Sequence, residues 1–295
     1  MGTIKLENLE INGYMIYQDK DSFNFGIDAV LLANFALREF YGGARMARPY
    51  EDWDYKTCSH EGGAQKASTN KVGLQASTLK ICDFCTGTLP IPLIMYAKRN
   101  DFFSDAIKID AFEIEKDQVD LCNKSLEYNK ENVDDAKNIV DDIKVYNEDI
   151  NNIILNRDKY KNIYESYDMV TVNPPYNKKG SGIINLNDKK MLARHEISIT
   201  FDDICKAAKL ILKSNKKFYI INHSERLSEM TSTLKSNSFE IKKLQFIHPK
   251  VDSASSLVLI EAVKNANSGL KVLEPIIVFE NDGSYTEKIQ KIYGK

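Results

Sequence analysis

Short apolar runs alternate with helical patterns along most of the chain. Runs of strand length lie at 79–84, 107–113, 168–172, 217–222, 244–248 and 256–263, with amphipathic stretches between several of them. Val119, Cys122 and Leu126 share one helical face at i, i+3 and i+7. Phe201, Ile204, Ala208 and Ile211 form a second stripe, and Leu227, Met230 and Leu234 a third. Thr200 with Asp203 three residues on predicts a capping box at the start of the second stripe. Strands alternating with helices predict an α/β fold, a parallel sheet with helices on both faces. Such sheets bind ligands beyond the carboxyl ends of their strands, so chemistry is expected just after each run.

Two segments break the rhythm. Residues 41–78 lack periodicity, are rich in Gly, Ala, Ser and Thr, and hold the only tryptophan, Trp53. A loop of that length inside a compact domain is either functional or disordered. It is expected to be a disordered or lid-like insertion. Towards residue 295, positions 271–280 read as a strand, Asn281-Asp282-Gly283 as a turn and 286–293 as a short helix. The expected organisation is an amino-terminal segment of the main domain at 1–40, the insertion at 41–78, a core at 79–265, and a strand–turn–helix extension at 266–295.

Composition narrows the class. With 43% hydrophobic and 28% charged residues the chain is near the globular average. Forty cationic side chains against 42 carboxylates exclude a broad basic face, so any nucleic-acid contact must come from a local patch. No apolar run approaches the roughly 18 residues of a membrane span, and residues 1–10 do not resemble a signal peptide. Five irregularly spaced cysteines point to reduced thiols, and a cytoplasmic protein is expected.

The sharpest motif is Asn173-Pro174-Pro175-Tyr176, directly after the run 168–172 in a chain of only seven prolines. A primary amine conjugated to an adenine ring has its lone pair drawn into the ring and is a poor nucleophile. Hydrogen bonds from its two N–H groups, to an Asn side-chain carbonyl and to a backbone carbonyl, favour the tetrahedral form whose lone pair can attack a methyl group. Pro174 offers that carbonyl at a fixed angle because its φ is locked. Tyr176 would stack on the base. Flipping a base costs a few kcal/mol and stacking returns roughly 1–3 kcal/mol, which favours a substrate base in a loop or an unpaired end.

A second candidate site is Asp83-Phe84-Cys85-Thr86-Gly87-Thr88, a small-residue turn between a strand and a helical stretch at 92–98. Such a turn lets a cofactor approach the backbone, with Asp83, Thr86 and Gly87 as its contacts. Glu113 ends the next strand, where a carboxylate suits the two hydroxyls of a ribose. Asp149 follows the third strand-like stretch and could accept from an adenine amino group.

Together these residues resemble a class I S-adenosylmethionine-dependent methyltransferase, and more narrowly the tRNA1(Val) adenine-37 N6-methyltransferase family. The narrower resemblance rests on Gln18 and on Phe23-Asn24-Phe25-Gly26-Ile27-Asp28-Ala29-Val30-Leu31-Leu32-Ala33. It continues through Asp188-Lys189-Lys190, Ala193-Arg194-His195-Glu196, His248-Pro249, 256–261, and Asp282-Gly283-Ser284-Tyr285-Thr286. It covers nearly the whole chain apart from 41–78. The resemblance implies a seven-stranded sheet, six strands parallel and the last antiparallel. It also implies S-adenosylmethionine held by Phe25, Gly26, Asp83, Thr86, Gly87, Glu113, Asp149 and Asn173, catalysis at Asn173, Pro174, Pro175 and Tyr176, and a tRNA substrate methylated at adenine N6 in the anticodon loop. Alternatives are a protein glutamine or DNA-adenine methyltransferase, or a non-catalytic RNA-binding protein with a degenerate cofactor turn. The last arises because the family has Gly at the positions of Cys85 and Leu89, where a Cβ at positive φ costs of order 1 kcal/mol or more.

Between Tyr176 and Glu196 five cations, Lys178, Lys179, Lys189, Lys190 and Arg194, face two carboxylates, a local charge of +3. Lys178, Lys179 and Arg194 are the candidate phosphate contacts. Cys58, His60, Cys82 and Cys85 have the donor types of a zinc site. A metal at Cys82 and Cys85 would obstruct the cofactor turn, so none is expected. Methyl transfer from a sulfonium needs no strong base before attack, which leaves His195 and His223 as surface or core residues.

Overall fold

The structure is a computed structural model that describes residues 3–19, 26–41, 78–102, 106–174 and 199–295. The chain opens with a hairpin of β1 (Ile4–Asn8) and β2 (Met15–Asp19), followed by helix α1 (Ile27–Tyr41). The apolar runs then become β3 (Leu79–Phe84), β4 (Ile107–Glu113), β5 (Ile143–Asn147), β6 (Tyr167–Val172), β7 (Leu212–His223), β8 (Phe239–His248) and β9 (Leu257–Lys264). Two short strands, β10 (Lys271–Val272) and β11 (Ile276–Ile277), complete the sheet. The helices between them are α2 (Pro90–Ala97), α3 (Lys116–Asn132), α4 (Phe201–Ile211), α5 (Leu227–Ser236) and, last, α6 (Glu287–Tyr293), with shorter turns elsewhere.

The sheet order is β10–β8–β9–β7–β6–β3–β4–β5, with β11 also paired to β8. Neighbours from β5 to β7 are parallel. β9 inserts antiparallel between β7 and β8. That is the expected seven-stranded core with six strands in one direction and one reversed. β10 and β11 add parallel pairs to the outer edge of β8. The single strand expected over 271–280 is thus two fragments, and Pro275, which has no N–H to donate, lies between them.

Alternation sorts each strand between two cores. On β3, Ile81 enters the core beneath the hairpin, α1, α2, α3 and α6, while Cys82 and Phe84 enter the core beneath α4 and α5. Every residue of β6 is buried, which is why its run is mostly apolar, with only Asp168 and Thr171 polar. Burial also hides α1 from a periodicity search. Residues 29 to 37 are all buried, so the helix carries no amphipathic stripe.

The hairpin is held to the core by polar residues on the buried face of α3. Ser125 Oγ accepts from the Tyr17 N–H at 2.9 Å. Asn129 accepts from the Met15 N–H at 2.8 Å and donates to the Met15 carbonyl at 2.7 Å. β7 begins five residues before the expected run because Leu212 already pairs with Tyr167, ahead of a bulge at 213–216 from which Lys213 and Lys216 both pair with Asp168. The capping box at Thr200 and Asp203 is present. No helix among the described residues is long and apolar enough to cross a membrane.

Candidate functional site

The carboxyl ends of β3, β4, β5 and β6 lie side by side, and the candidate residues follow them. After β3 the chain turns through three residues in the left-handed region, Cys85 (φ 54°), Gly87 (φ 57°) and Leu89 (φ 78°). The two positions that lack glycine relative to the resembled family are therefore ones where a Cβ is strained, by roughly 1–2 kcal/mol each. Glu113 holds this turn. One of its oxygens accepts from the Gly87 N–H at 2.8 Å and the other from the Glu115 N–H at 3.0 Å, tying the end of β4 to the turn after β3.

Magnitudes separate the two strained positions. Leu89 is fully buried at the start of α2. Removing such a side chain costs about 2–5 kcal/mol, more than the strain it relieves. Leu89→Gly should therefore destabilise by about 1–3 kcal/mol in a denaturant titration. Cys85 is only partly covered, so Cys85→Gly should stay within about 1 kcal/mol of the parent.

The turn is strongly acidic. Burial, aided by the charges of Glu113, Asp83 and Asp149, pushes the Cys85 thiol well up, which marks the three carboxylates as a cluster around it. Asp83 is wholly buried, and burial raises its pKa to about 7; the hydrogen bond from Thr171 and the neighbouring Thr86 hydroxyl offset part of the rise, and Glu113 adds to it. Thr171 Oγ1 donates to Asp83 Oδ1, but Asp83 Oδ2 and Thr86 Oγ1 are buried with no aligned hydrogen-bond partner among the described residues. Burial also raises Glu113, against the backbone N–H groups that stabilise its charge. Asp149, past the end of β5, accepts from the Asn151 N–H at 2.9 Å. Ile114, next to Glu113, is 45% exposed, an apolar surface at the same strand ends that the sequence pattern does not single out.

Asn173 directly follows β6, with Pro174 buried behind it. Asn173 Nδ2 donates to Asp28 Oδ2 at 2.8 Å. Asp28 is the second residue of α1 and nearly buried. Gly26 precedes it, and a Cβ added there would lie 2.7 Å from Asp28 Oδ1. The amino-terminal motif is thereby brought to the end of β6. In the sequence Asp28 stands out only as a carboxylate in the first turn of α1, directly before the apolar run 29–33. Asn222, near the end of β7, is also fully buried, with no hydrogen-bond partner for its Nδ2 among the described residues, and no motif in the sequence marks it.

Several expected residues, Phe25, Pro175, Tyr176, Lys178, Lys179, Arg194 and His195, lie outside the described residues, as do Cys58 and His60. Of the zinc candidates that are described, Cys82 is buried inside β3, where desolvation pushes its thiol well up, and Cys85 occupies the turn. His223 closes β7.

No protein-family model matches the chain, and no curated protein sequence does. Solved structures do. A predicted O-methyltransferase, protein Atu636 from Agrobacterium tumefaciens, is 18% identical over 75% of this chain and 90% of its own, with a TM-score of 0.56. P. horikoshii TYW2 in complex with MeSAdo is 13% identical over 90% of this chain and 73% of its own, with a TM-score of 0.47. A SAM-dependent methyltransferase from Aquifex aeolicus is 13% identical over 62% of this chain and 81% of its own, with a TM-score of 0.39. The fold is the class I methyltransferase fold.

Proposed function

We propose that the chain is an S-adenosylmethionine-dependent methyltransferase acting on adenine N6 in the anticodon loop of tRNA, in the cytoplasm. The observation that carries this reading is Asn173-Pro174-Pro175-Tyr176 beginning at the end of β6, beside the acidic turn that ends β3. The residues present fit the cofactor. A buried carboxylate oxygen without an aligned partner at Asp83 suits a cationic group, and an unmet buried acceptor otherwise costs about 1–3 kcal/mol. Glu113 keeps acceptor capacity beyond its two backbone bonds and is assigned to the ribose hydroxyls, Asp149 to an adenine amino group, and Ile114 to apolar cover of the ring. Phe25 and Gly26 are assigned to the same ligand by resemblance alone.

When bound, the cofactor supplies an electrophilic methyl group on a sulfonium. The protein's work is to prepare the nucleophile. Asn173 Oδ1 and the Pro174 carbonyl accept the two amine hydrogens, which holds the nitrogen tetrahedral with its lone pair directed outward. Pro175 stiffens the loop and Tyr176 stacks on the flipped base. Asn173 and the Pro174 carbonyl would keep the nitrogen in place while it takes up the methyl group that the sulfonium would give up. The surplus amine proton then leaves to water.

Lys178, Lys179 and Arg194 are assigned to tRNA phosphates. Neutralising all three should weaken binding similarly across RNA sequences and flatten its salt dependence, because fewer counterions are released per complex. An unchanged slope in the triple variant returns them to a solvated loop.

Mass mapping of modified nucleosides in tRNA after incubation with protein and cofactor tests the reading as a whole. N6-methyladenine in the anticodon loop supports it, whereas methylation of DNA or of a protein glutamine redirects it. The strained Cys85 and Leu89 favour a second reading, an RNA-binding protein whose cofactor turn has degenerated. Calorimetry that finds tRNA binding but no cofactor binding at millimolar concentration selects that one.

A further inference from the structure

We propose that Asp28 fixes the orientation of the Asn173 amide and that Gly26 keeps open the space in which it does so. This rests on the reading of Asn173 as acceptor for the target amine. The two ends of an asparagine amide are nearly alike in shape and opposite in function. Turned by half a rotation, Asn173 would meet the amine's N–H donors with its own NH₂ and give no hydrogen bond. A carboxylate accepts and does not donate, so of the two ends Asp28 can hold only Nδ2. The 2.8 Å bond from Asn173 Nδ2 to Asp28 Oδ2 therefore commits Oδ1 to the opposite side of the amide.

The bond does more than orient. A charge-assisted hydrogen bond at the NH₂ end shifts electron density towards the oxygen, which makes Oδ1 a stronger acceptor for the amine. The position of the carboxylate is itself defined. An added Cβ at residue 26 would lie 2.7 Å from Asp28 Oδ1, so any side chain there displaces the carboxylate. A plainer role for Asp28 is to sit at the positive end of α1, where a first-turn carboxylate favours the helix. That role makes no reference to Asn173, and this separates the two.

The test uses the full chain, a tRNA transcript, saturating cofactor and single-turnover methylation, with cofactor affinity measured by calorimetry. Asp28→Ala, Asp28→Asn and Gly26→Ala are made singly, and Asp28→Ala is also made with Asn173→Ala. Asp28→Ala should slow the methylation step by about 10–100-fold, with cofactor and tRNA affinities within about threefold of the parent. Asp28→Asn keeps an acceptor oxygen and should recover most of the rate, and Gly26→Ala should be slow. Combined with Asn173→Ala, Asp28→Ala should cost nothing further, because it acts through a group already gone.

The same fold-loss in both backgrounds overturns the proposal, as does a loss that falls on cofactor affinity with the rate intact. Asn173→Ala methylating at the parent rate sinks the function reading and this proposal with it. A slow Asn173→Ala beside a fully active Asp28→Ala sinks the positioning role alone. Should Asp28→Ala fail to fold, the other two decide: an active Asp28→Asn with a slow Gly26→Ala supports the proposal, and both at the parent rate overturn it.

Discussion

Asn173→Ala is expected to lower kcat on the order of 10²–10³-fold while tRNA affinity stays near the parent value. The split follows from when the hydrogen bond matters. In the ground state the adenine amine is planar and a weak partner, and as it becomes tetrahedral its N–H groups turn towards Oδ1 and the bond strengthens. An interaction made mainly in the transition state appears in kcat. Tyr176 should fail differently, because it holds the flipped base before and during reaction. Tyr176→Ala should lose roughly 1–3 kcal/mol of stacking, visible in tRNA affinity, and Tyr176→Phe should be mild. Steady-state kinetics with separate binding measurements check both. A parent-like rate for Asn173→Ala would mean that the chemistry assigned to this loop is wrong.

Cofactor binding should release a proton and strengthen as the pH rises towards 7. Asp83 is buried and holds its proton up to a pKa of about 7, yet the ionised form is the one that attracts a cationic ligand. Below that pKa, binding must first drive the proton off, so affinity should rise by about tenfold per pH unit between about 5 and 7 and level off above. Asp83→Asn should bind weakly at every pH and lose the slope. Calorimetry in two buffers of different ionisation enthalpy reads the released proton directly, and a buffer-independent heat would remove Asp83 from the cofactor's charged group. Without cofactor the same residue acts in the opposite direction on stability. Its folded pKa lies above the 3.8 of an exposed carboxyl, so its contribution is full below about pH 4 and is lost as the pH rises towards 7. Thermal midpoints of the parent should fall relative to Asp83→Asn over that interval.

What the sequence shows of this molecule depends on how its residues are buried. β3, β4 and β6 stand out because strands largely covered on both faces are mostly apolar over a few residues. α1 is enclosed so fully that its 3.6-residue period vanishes. The hairpin escapes because what secures it, Ser125 and Asn129, lies on a distant helix and reads as polar interruption of an apolar stripe. Asp83, Glu113, Asp149 and Asn173 can be picked out because strand ends are where such a sheet gathers side chains. Asp28 cannot, since its partner is 145 residues away and only folding joins them. The strain at Cys85 and Leu89 lies between these cases. The missing glycines are visible in the sequence, and the positive φ that makes them matter is visible only in the structure.

The hairpin and the carboxyl-terminal helix share one core. Leu9, Ile11, Tyr14 and Ile16 belong to the same apolar cluster as Ile276, Val278, Ile289 and Ile292. The nearly buried Lys98 donates to the Ile292 carbonyl, and Lys295 pairs with Glu10 at 2.6 Å. During synthesis at about 5–20 residues per second, the first half of that cluster waits for its second half for roughly tens of seconds. A nascent chain therefore leaves the apolar face of the hairpin incomplete until α6 has been made. A truncation that removes α6 should likewise expose the hairpin to proteases, although the two are far apart along the chain.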